Sequence, residues 1–415
     1  LVRNPLAAQG PRFSIMNLVV IPFHDWKKCE REGFRTRDAH LMQEFADHPQ
    51  VEKLLVINRP ISVSEMVLLR RNWRPLEGET FFQDGNICIT QVGPKTYTLD
   101  ILVREFIKPL MMKRSWTPYI FGRPRVAAAV ETALSKLLIH MDYALFMSAP
   151  LFAPLVTHLS PRVIGFDAQD NLLKHAFYQD IPELASYYNY FLERADFIWA
   201  NSPETTNWFK QKRPDAQHIS NGVDKKVFDS GRIYGRPSDM EPIQAPIVGY
   251  AGKMQEMFDV DLMSNVVHQL PDVNFVFIGQ ELNSNWVRPL WQHPNAHYLG
   301  DKPYSQLPNY LAAFDVCVIP YNQQRQHGVD PIKFYEYLAM GKPVVTTNIG
   351  GVSVFKDFPQ VRIPENQEEF LEAVRYFTDA TREGRAIPIS ELPEAYTWQA
   401  KANEIIQSLL LKQRA

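Results

Sequence analysis

Cysteine is scarce in this sequence of 415 residues: Cys29, Cys88 and Cys317 stand far apart, with no C-x-x-C pair among them. A zinc site or a disulfide framework needs more or closer thiols. The three therefore read as buried or free thiols in a reducing cytosol, and the expected location is cytoplasmic. Long apolar runs are missing as well. Leu18–Ile21 and Phe275–Ile278 fall far short of the ~20 residues that span a bilayer as a helix. Charge of one sign is not in excess: 44 Lys and Arg face 46 Asp and Glu, for a net charge of −2. That balance argues against a dedicated nucleic-acid partner. No repeat of solenoid length and no low-complexity tract is visible. Residues 1–12 lack the apolar core of a signal peptide and contribute nothing to the expected fold.

What remains is ample material for packed cores, with 45% apolar residues. The length suggests two domains of roughly 100–200 residues each. Ser14–Pro22 reads as a strand, Thr36–Phe45 as a helix and Lys53–Asn58 as a second strand. Short apolar runs at Ile87–Val92, Ala144–Ser148, Arg162–Phe166 and Phe197–Ala200 alternate with helical stretches such as Val126–His140 and Pro182–Arg194. Alternation of this kind predicts a parallel sheet covered on both faces. After a proline-rich boundary at Pro242–Pro246 the pattern restarts, with strands at Ile247–Ala251, Asn274–Ile278, His297–Leu299, Val316–Ile319 and Pro343–Thr346. The expected architecture is α/β, with two facing doubly wound domains. An N-terminal domain takes residues 14–205, a linker region 206–242, and a C-terminal domain 243–395. A last helix within 396–415 would pack back toward the first domain. Ligands of doubly wound sheets bind outside the carboxyl ends of the strands, so the cleft between domains is the expected site.

The most informative block runs from Asp330 to Val345. Pro331 suits the start of a helix and Gly341 its stop. The free N–H groups of Asp330, Ile332 and their neighbours would attract a phosphate, and Lys333 adds a positive charge. Glu336 lies on nearly the same face as Lys333 and could accept hydrogen bonds from both hydroxyls of a ribose. An ordinary amphipathic helix with a solvated Lys–Glu pair would also explain these residues. Three further loops argue against chance. Gly249 and Gly252 precede Lys253 at one strand end, Gly279 follows another strand, and Gly300 to Tyr304 follows a third.

This order resembles the donor half of GT-B glycosyltransferases, especially those of the family 4 (group 1) type. The matching residues are Gly252-Lys253, Ile278-Gly279, Leu299-Gly300, Asp315 to Pro320 and Glu336 to Val345, within about residues 247–351. The resemblance implies that Lys253 and Lys333 contact a nucleotide-sugar diphosphate, that Glu336 binds its ribose, and that Lys302, Pro303 and Tyr304 read its base. It departs from the family at two points. The first glutamate of a Glu-x7-Glu pair is replaced by Gly328, with Asp330 as a substitute carboxylate. A second basic residue after Lys253 is missing, where the chain reads Met257-Phe258-Asp259.

The N-terminal half offers three candidates. Residues from His24 to Asp38 follow the first strand, where Gly33, Arg35 and Arg37 could approach the donor phosphate; a solvated surface loop is the plainer reading. Asp167 and Asp170 follow the strand Arg162–Phe166, and either could serve as catalytic base or merely cap the next helix. His24 is a further candidate base. Residues 104–125 interleave Arg104, Lys108, Lys113, Arg114, Arg123 and Arg125 with Phe106, Met111, Met112, Trp116, Tyr119, Ile120 and Phe121. Such a segment suits an anionic membrane surface, or packs its own aromatics. The expected function is sugar transfer from a nucleotide-diphosphate sugar, UDP favoured over GDP, to a glycan or lipid-linked acceptor in cell-surface polysaccharide or glycolipid synthesis. No cofactor and no metal is expected, because basic residues and a helix N-terminus can hold the diphosphate and the sequence is read as lacking an Asp-x-Asp motif. A non-catalytic nucleotide-sugar-binding subunit and an epimerase of the same fold are the alternatives.

Overall fold

The computed structural model describes residues 15–282, 284–325 and 328–414. Ten strands build the first sheet: β1 (Met16–Ile21), β2 (Val51–Ile57), β3 (Ile61–Ser62), β4 (Glu79–Asp84), β5 (Ile87–Gln91), β6 (Thr96–Val103), β7 (Ala144–Met147), β8 (Val163–Ala168), β9 (Phe197–Ala200) and β10 (Gln217–His218). Their order is β10-β9-β8-β7-β1-β2-β6-β5-β4, with β3 pairing on β6. β1 lies between β2 and β7, both parallel to it. The strand order reverses there, which opens a crevice at the carboxyl ends.

The first sheet is not parallel throughout. β5 runs antiparallel to both β4 and β6. Asp84-Gly85-Asn86 makes the tight turn, with Gly85 at φ 55°, so these strands fold back as a hairpin instead of crossing over through a helix.

The second sheet holds β11 (Ile247–Ala251), β12 (Asn274–Ile278), β13 (Ala296–Tyr298), β14 (Val316–Ile319), β15 (Val344–Thr346) and β16 (Val361–Arg362), in the order β13-β12-β11-β14-β15-β16. All its pairings are parallel. Its strands read as continuous apolar runs because both faces are covered; Ile247 to Ala251 are all buried. The order reverses between β11 and β14, so a second crevice opens beside β11.

Two links join the domains, and they run side by side. Val223 N–H donates to Tyr396 O at 2.9 Å, and Trp398 N–H to Val223 O at 3.1 Å. The helix Trp398–Arg414 then lies on the first sheet. Trp398, Ile405, Ile406 and Leu409 share a core with Leu18, Phe45 and Trp199.

Candidate active site

A cleft of about 380 Å³ opens between the two domains. Its C-terminal wall starts at the carboxyl ends of β11 and β12. Gly252 approaches Lys333 so closely that a Cβ there would lie 2.4 Å from the lysine Nζ, and a Cβ on Gly279 would lie 2.1 Å from Gly252 O. Gly279 is thus confined to glycine by close backbone approach, while Gly252 leaves room for the end of the Lys333 side chain. Pro331 caps the helix Ile332–Ala339 with extended backbone, and Pro331, Ile332 and Lys333 all line the cleft. Lys333 Nζ donates to Tyr321 Oη at 2.6 Å and sits 4.8 Å from the Tyr250 ring centroid. Aromatic faces and a phenol hold the ammonium in one direction.

Glu336 lies one turn deeper. It accepts from Tyr304 Oη at 2.6 Å, and burial pushes its pKa up to about 7, against the lowering effects of Tyr304 and Lys333. Tyr304 also meets His40 Nε2 at 3.2 Å across the domain boundary. Burial holds His40 neutral, with a pKa of about 3, and its ring stacks on Trp398 at 4.9 Å. Asp330 lines the cleft, yet both its oxygens are occupied, by Asn221 N–H and by Tyr335 Oη. Burial raises its pKa to about 6.

The N-terminal wall brings charged side chains to the cleft among polar ones. Arg35 lines the cleft, but its guanidinium is forked onto Asp301 of the opposite domain at 3.0 and 3.3 Å. Lys253 reaches Glu32 across the same gap at 3.4 Å. Lys302 lines the cleft and pairs with Asp239 at 2.7 Å. Gly33 and Pro303 are absent from this cleft and line the cavity beside it. Gly33, at φ 75°, is the left-handed stop of the helix Trp26–Glu32 and faces the Cβ of Tyr304.

The two candidate aspartates part company. β8 extends to Ala168, so Asp167 lies inside the strand rather than after it. Its carboxylate is fully buried, and both oxygens are held by Arg37 at 2.8 Å. Burial works against the Arg37 charge, but the Asp167 carboxylate outweighs it and raises the arginine pKa. Asp167 is therefore a structural ion-pair partner shut off from the cleft, and Arg37 is committed to it instead of to a phosphate. Asp170 lines the cleft. Tyr188 pins its backbone oxygen at 3.2 Å, and Asn171, not Asp170, receives the following N–H of Leu173. Burial lifts the Asp170 carboxyl to about 6, opposed by His175, His24 and Arg37. His24 also lines the cleft; its Nδ1 lies 3.1 Å from buried Asp38.

Three residues escaped sequence reading. Gln169 Nε2 and Asn201 Oδ1 are buried without a hydrogen-bond partner, and both residues line the cleft. Buried orphans of this kind point to a missing partner. Neither shows a periodicity that would single it out in the sequence. The third is Asp261, which completes an Asp-x-Asp with Asp259. Asp259 caps the helix Val260–Gln269 through Leu262 N–H at 2.9 Å, and neither aspartate lines the cleft.

The segment 104–125 divides. Phe106, Ile107, Leu110 and Met111 are exposed, whereas Trp116, Ile120 and Phe121 are core residues. Trp116 and Ile120 lie four apart on one helical face, which turns them inward. No helix among the described residues is long and apolar enough to cross a membrane.

Two Rossmann-like sheets facing each other across a cleft define the GT-B architecture. Residues 245–379, in the C-terminal domain, match the family described as Glycosyl transferases group 1. The chain is 27% identical over 169 residues to the Bacillus subtilis (strain 168) protein TuaH, whose name assigns it to teichuronic acid biosynthesis as a glycosyltransferase; the match covers 39% of this chain and 43% of TuaH. The chain spans less than half the length of the curated relatives it matches. Sucrose-phosphate synthase of Thermosynechococcus elongatus shares the fold with a TM-score of 0.64, 14% identity and coverage of 96% of this chain and 99% of that one. Anabaena HepE, solved in complex with UDP-glucose, follows at a TM-score of 0.58, 14% identity, 96% and 98%.

Proposed function

We propose that the protein transfers a glycosyl group from a nucleotide-diphosphate sugar, UDP favoured, to a glycan or lipid-linked acceptor in cell-surface polysaccharide or glycolipid synthesis. One observation carries this reading: Gly252, Gly279, Lys333 and the start of the helix Ile332–Ala339 converge on the same cleft as Glu336. The diphosphate lies against that helix start and Lys333, with no resident metal, and Lys253 joins them by leaving Glu32. The ribose hydroxyls displace Tyr304 from Glu336. Lys302 and the Tyr304 backbone flank the base. Gln169 and Asn201 supply the partners that sugar hydroxyls lack. Fold-mates of this architecture include a protein solved with UDP-glucose, which supports UDP.

In the transfer, the acceptor oxygen bonds to the anomeric carbon and the bond from that carbon to the diphosphate breaks. The acceptor proton passes to Asp170, and the nucleoside diphosphate leaves. With a pKa near 6, Asp170 is ionised at neutral pH and more basic than an ordinary aspartate. We place the protein at an anionic membrane surface through Phe106, Ile107, Leu110 and Met111, with the nearby exposed Val67, Leu68 and Leu69. Flotation with anionic vesicles is expected at low salt and should be lost in Ile107→Asp/Met111→Asp; an unbound wild type removes this placement.

The test of the central reading is a melting-temperature panel of UDP, GDP, ADP and their sugars, since a ligand that binds the native state raises the transition. UDP and a UDP-sugar should give the largest rise, and slow release of UDP from the sugar should follow. No response to any nucleotide overturns the reading.

A further inference from the structure

A second cavity, of about 460 Å³, adjoins the donor cleft and shares Phe23 and His24 with it. It lies wholly in the first domain, beyond the carboxyl ends of β1 and β2, where Asp25 and Arg59 follow those strands. Its lining is strongly basic. Arg31, Arg59, Arg71, Arg74 and Arg114 face it, with Lys27 and Lys28, against Asp25, Glu30 and Glu32. Much of the acid is already used. Glu30 receives the N–H groups of Leu76 and Glu77, and Asp25 caps the helix Trp26–Glu32.

The arginines outnumber their partners. Arg59 and Arg71 share one carboxylate, Glu65, at 2.7 and 3.0 Å. The Arg71 pKa is pulled down, first by burial and then by its like-charged neighbour Arg59, with Arg31 adding to it. Arg31, Arg74 and Arg114 form no ion pair among the described residues. Arg74 rests over Trp73 and Arg114 over Phe177. A crowd of like charges around one hollow costs free energy unless an anion enters it. Planar guanidinium forks suit carboxylate and phosphate oxygens.

We infer that this cavity is the acceptor subsite and that the acceptor carries an oxyanion, a phosphate or a carboxylate, within reach of these arginines. The inference rests on the glycosyl-transfer reading and deepens it. An acceptor anchored here would present a hydroxyl toward His24 and the donor cleft. The anion fixes the acceptor's orientation and takes no part in bond making.

The test uses the whole chain saturated with UDP, so that the donor cleft is filled. Glycerol 3-phosphate and D-glucuronate serve as the two anionic probes, with glycerol and glucose as neutral controls. Binding is read by calorimetry and by the melting temperature. At least one anionic probe should bind, and the neutral controls should bind at least tenfold more weakly. Which probe binds distinguishes phosphate from carboxylate. In Arg31→Gln/Arg74→Gln, whose side chains hold no ion pair among the described residues, the probe should bind about tenfold or more weakly, while UDP binds as before. Equal binding of charged and neutral probes, no binding of either anion, or unchanged affinity in the double variant overturns the inference. Failure of UDP itself to bind, with the anion still bound in its absence, would instead strike the glycosyl-transfer reading.

Discussion

The C-terminal wall of the cleft brings two glycine loops and a helix start together, whereas from the N-terminal wall Arg35 and Glu32 are already paired across the gap. On the C-terminal side, Gly252 and Gly279 bring two loops into contact, and a helix start points its free N–H groups into the cleft. For the proposed nucleotide to enter, Tyr304 must give up its hydrogen bond to Glu336. On the other side Arg35 is held by Asp301, and Glu32 holds Lys253. A diphosphate competes with these cross-domain pairs for the same cations. On the proposed function, the difference teaches that glycine loops and a helix start prepare donor binding, while entry of the diphosphate is an exchange of ion pairs. Both pairs are partly exposed, so each is worth only about 0–1 kcal/mol and is easily traded.

The strongest way to test that division is Asp170→Asn. If the first domain supplies the base and the second the nucleotide site, turnover should fall by about 10²–10⁴ while UDP affinity stays constant. Steady-state rates set beside calorimetry would show the split; wild-type turnover would move the base to His24. Asp167→Ala should behave in the opposite manner. It strands the buried Arg37 charge, so denaturant unfolding should show a loss of about 3–5 kcal/mol. A stable Asp167→Ala protein would mean that Arg37 finds another anion.

On the donor side, Glu336→Ala should weaken UDP by about 1–3 kcal/mol with the fold intact. Unchanged affinity would remove Glu336 from the site. The same carboxylate gives a pH signature. Its pKa is raised to about 7, so its contribution to stability is complete below the ordinary glutamate range and fades as pH rises through 7. Nucleotide binding, which uses the ionised form, should strengthen over that interval. Turnover should add an acid limb near 6 from Asp170. A pH-independent UDP affinity between 6 and 8 would contradict this. The smallest effect is expected for Arg35→Ala, which should alter the melting transition by under about 1 kcal/mol and leave the cleft more open in solution scattering.

Most of the donor wall was legible because its chemistry is local. A strand end, a glycine, a lysine and a helix start within a few positions are enough to place Gly252, Gly279, Lys333 and Glu336. The N-terminal wall depends on distant pairings. Asp167 and Asp170 look alike in sequence, and what separates them is Arg37, 130 positions from Asp167. Arg35 reads as a free cation until Asp301 is seen 266 residues away. The strand β8 outran its predicted end at Phe166 by two residues, enough to bury Asp167. The parallel expectation failed at β4–β5–β6, where the turn at Gly85 signalled a hairpin. The aromatic content of residues 104–125 hid its own division. The inward pair Trp116 and Ile120 had the helical spacing of a core face, and the exposed Ile107 and Met111 did not stand out from it.

The helix Trp398–Arg414 has a consequence for how the chain is made. Its Trp398, Ile405 and Leu409 complete the core under β1, whose own residues leave the ribosome nearly four hundred positions earlier. Domains that finish early in synthesis generally fold as they emerge. Here the domain begun first is the one completed last, and the donor-side domain, whose core cluster draws on residues from Val223 to Leu392, is whole before it. Until that helix is made, the face of the first sheet that it covers lacks Trp398, Ile405 and Leu409.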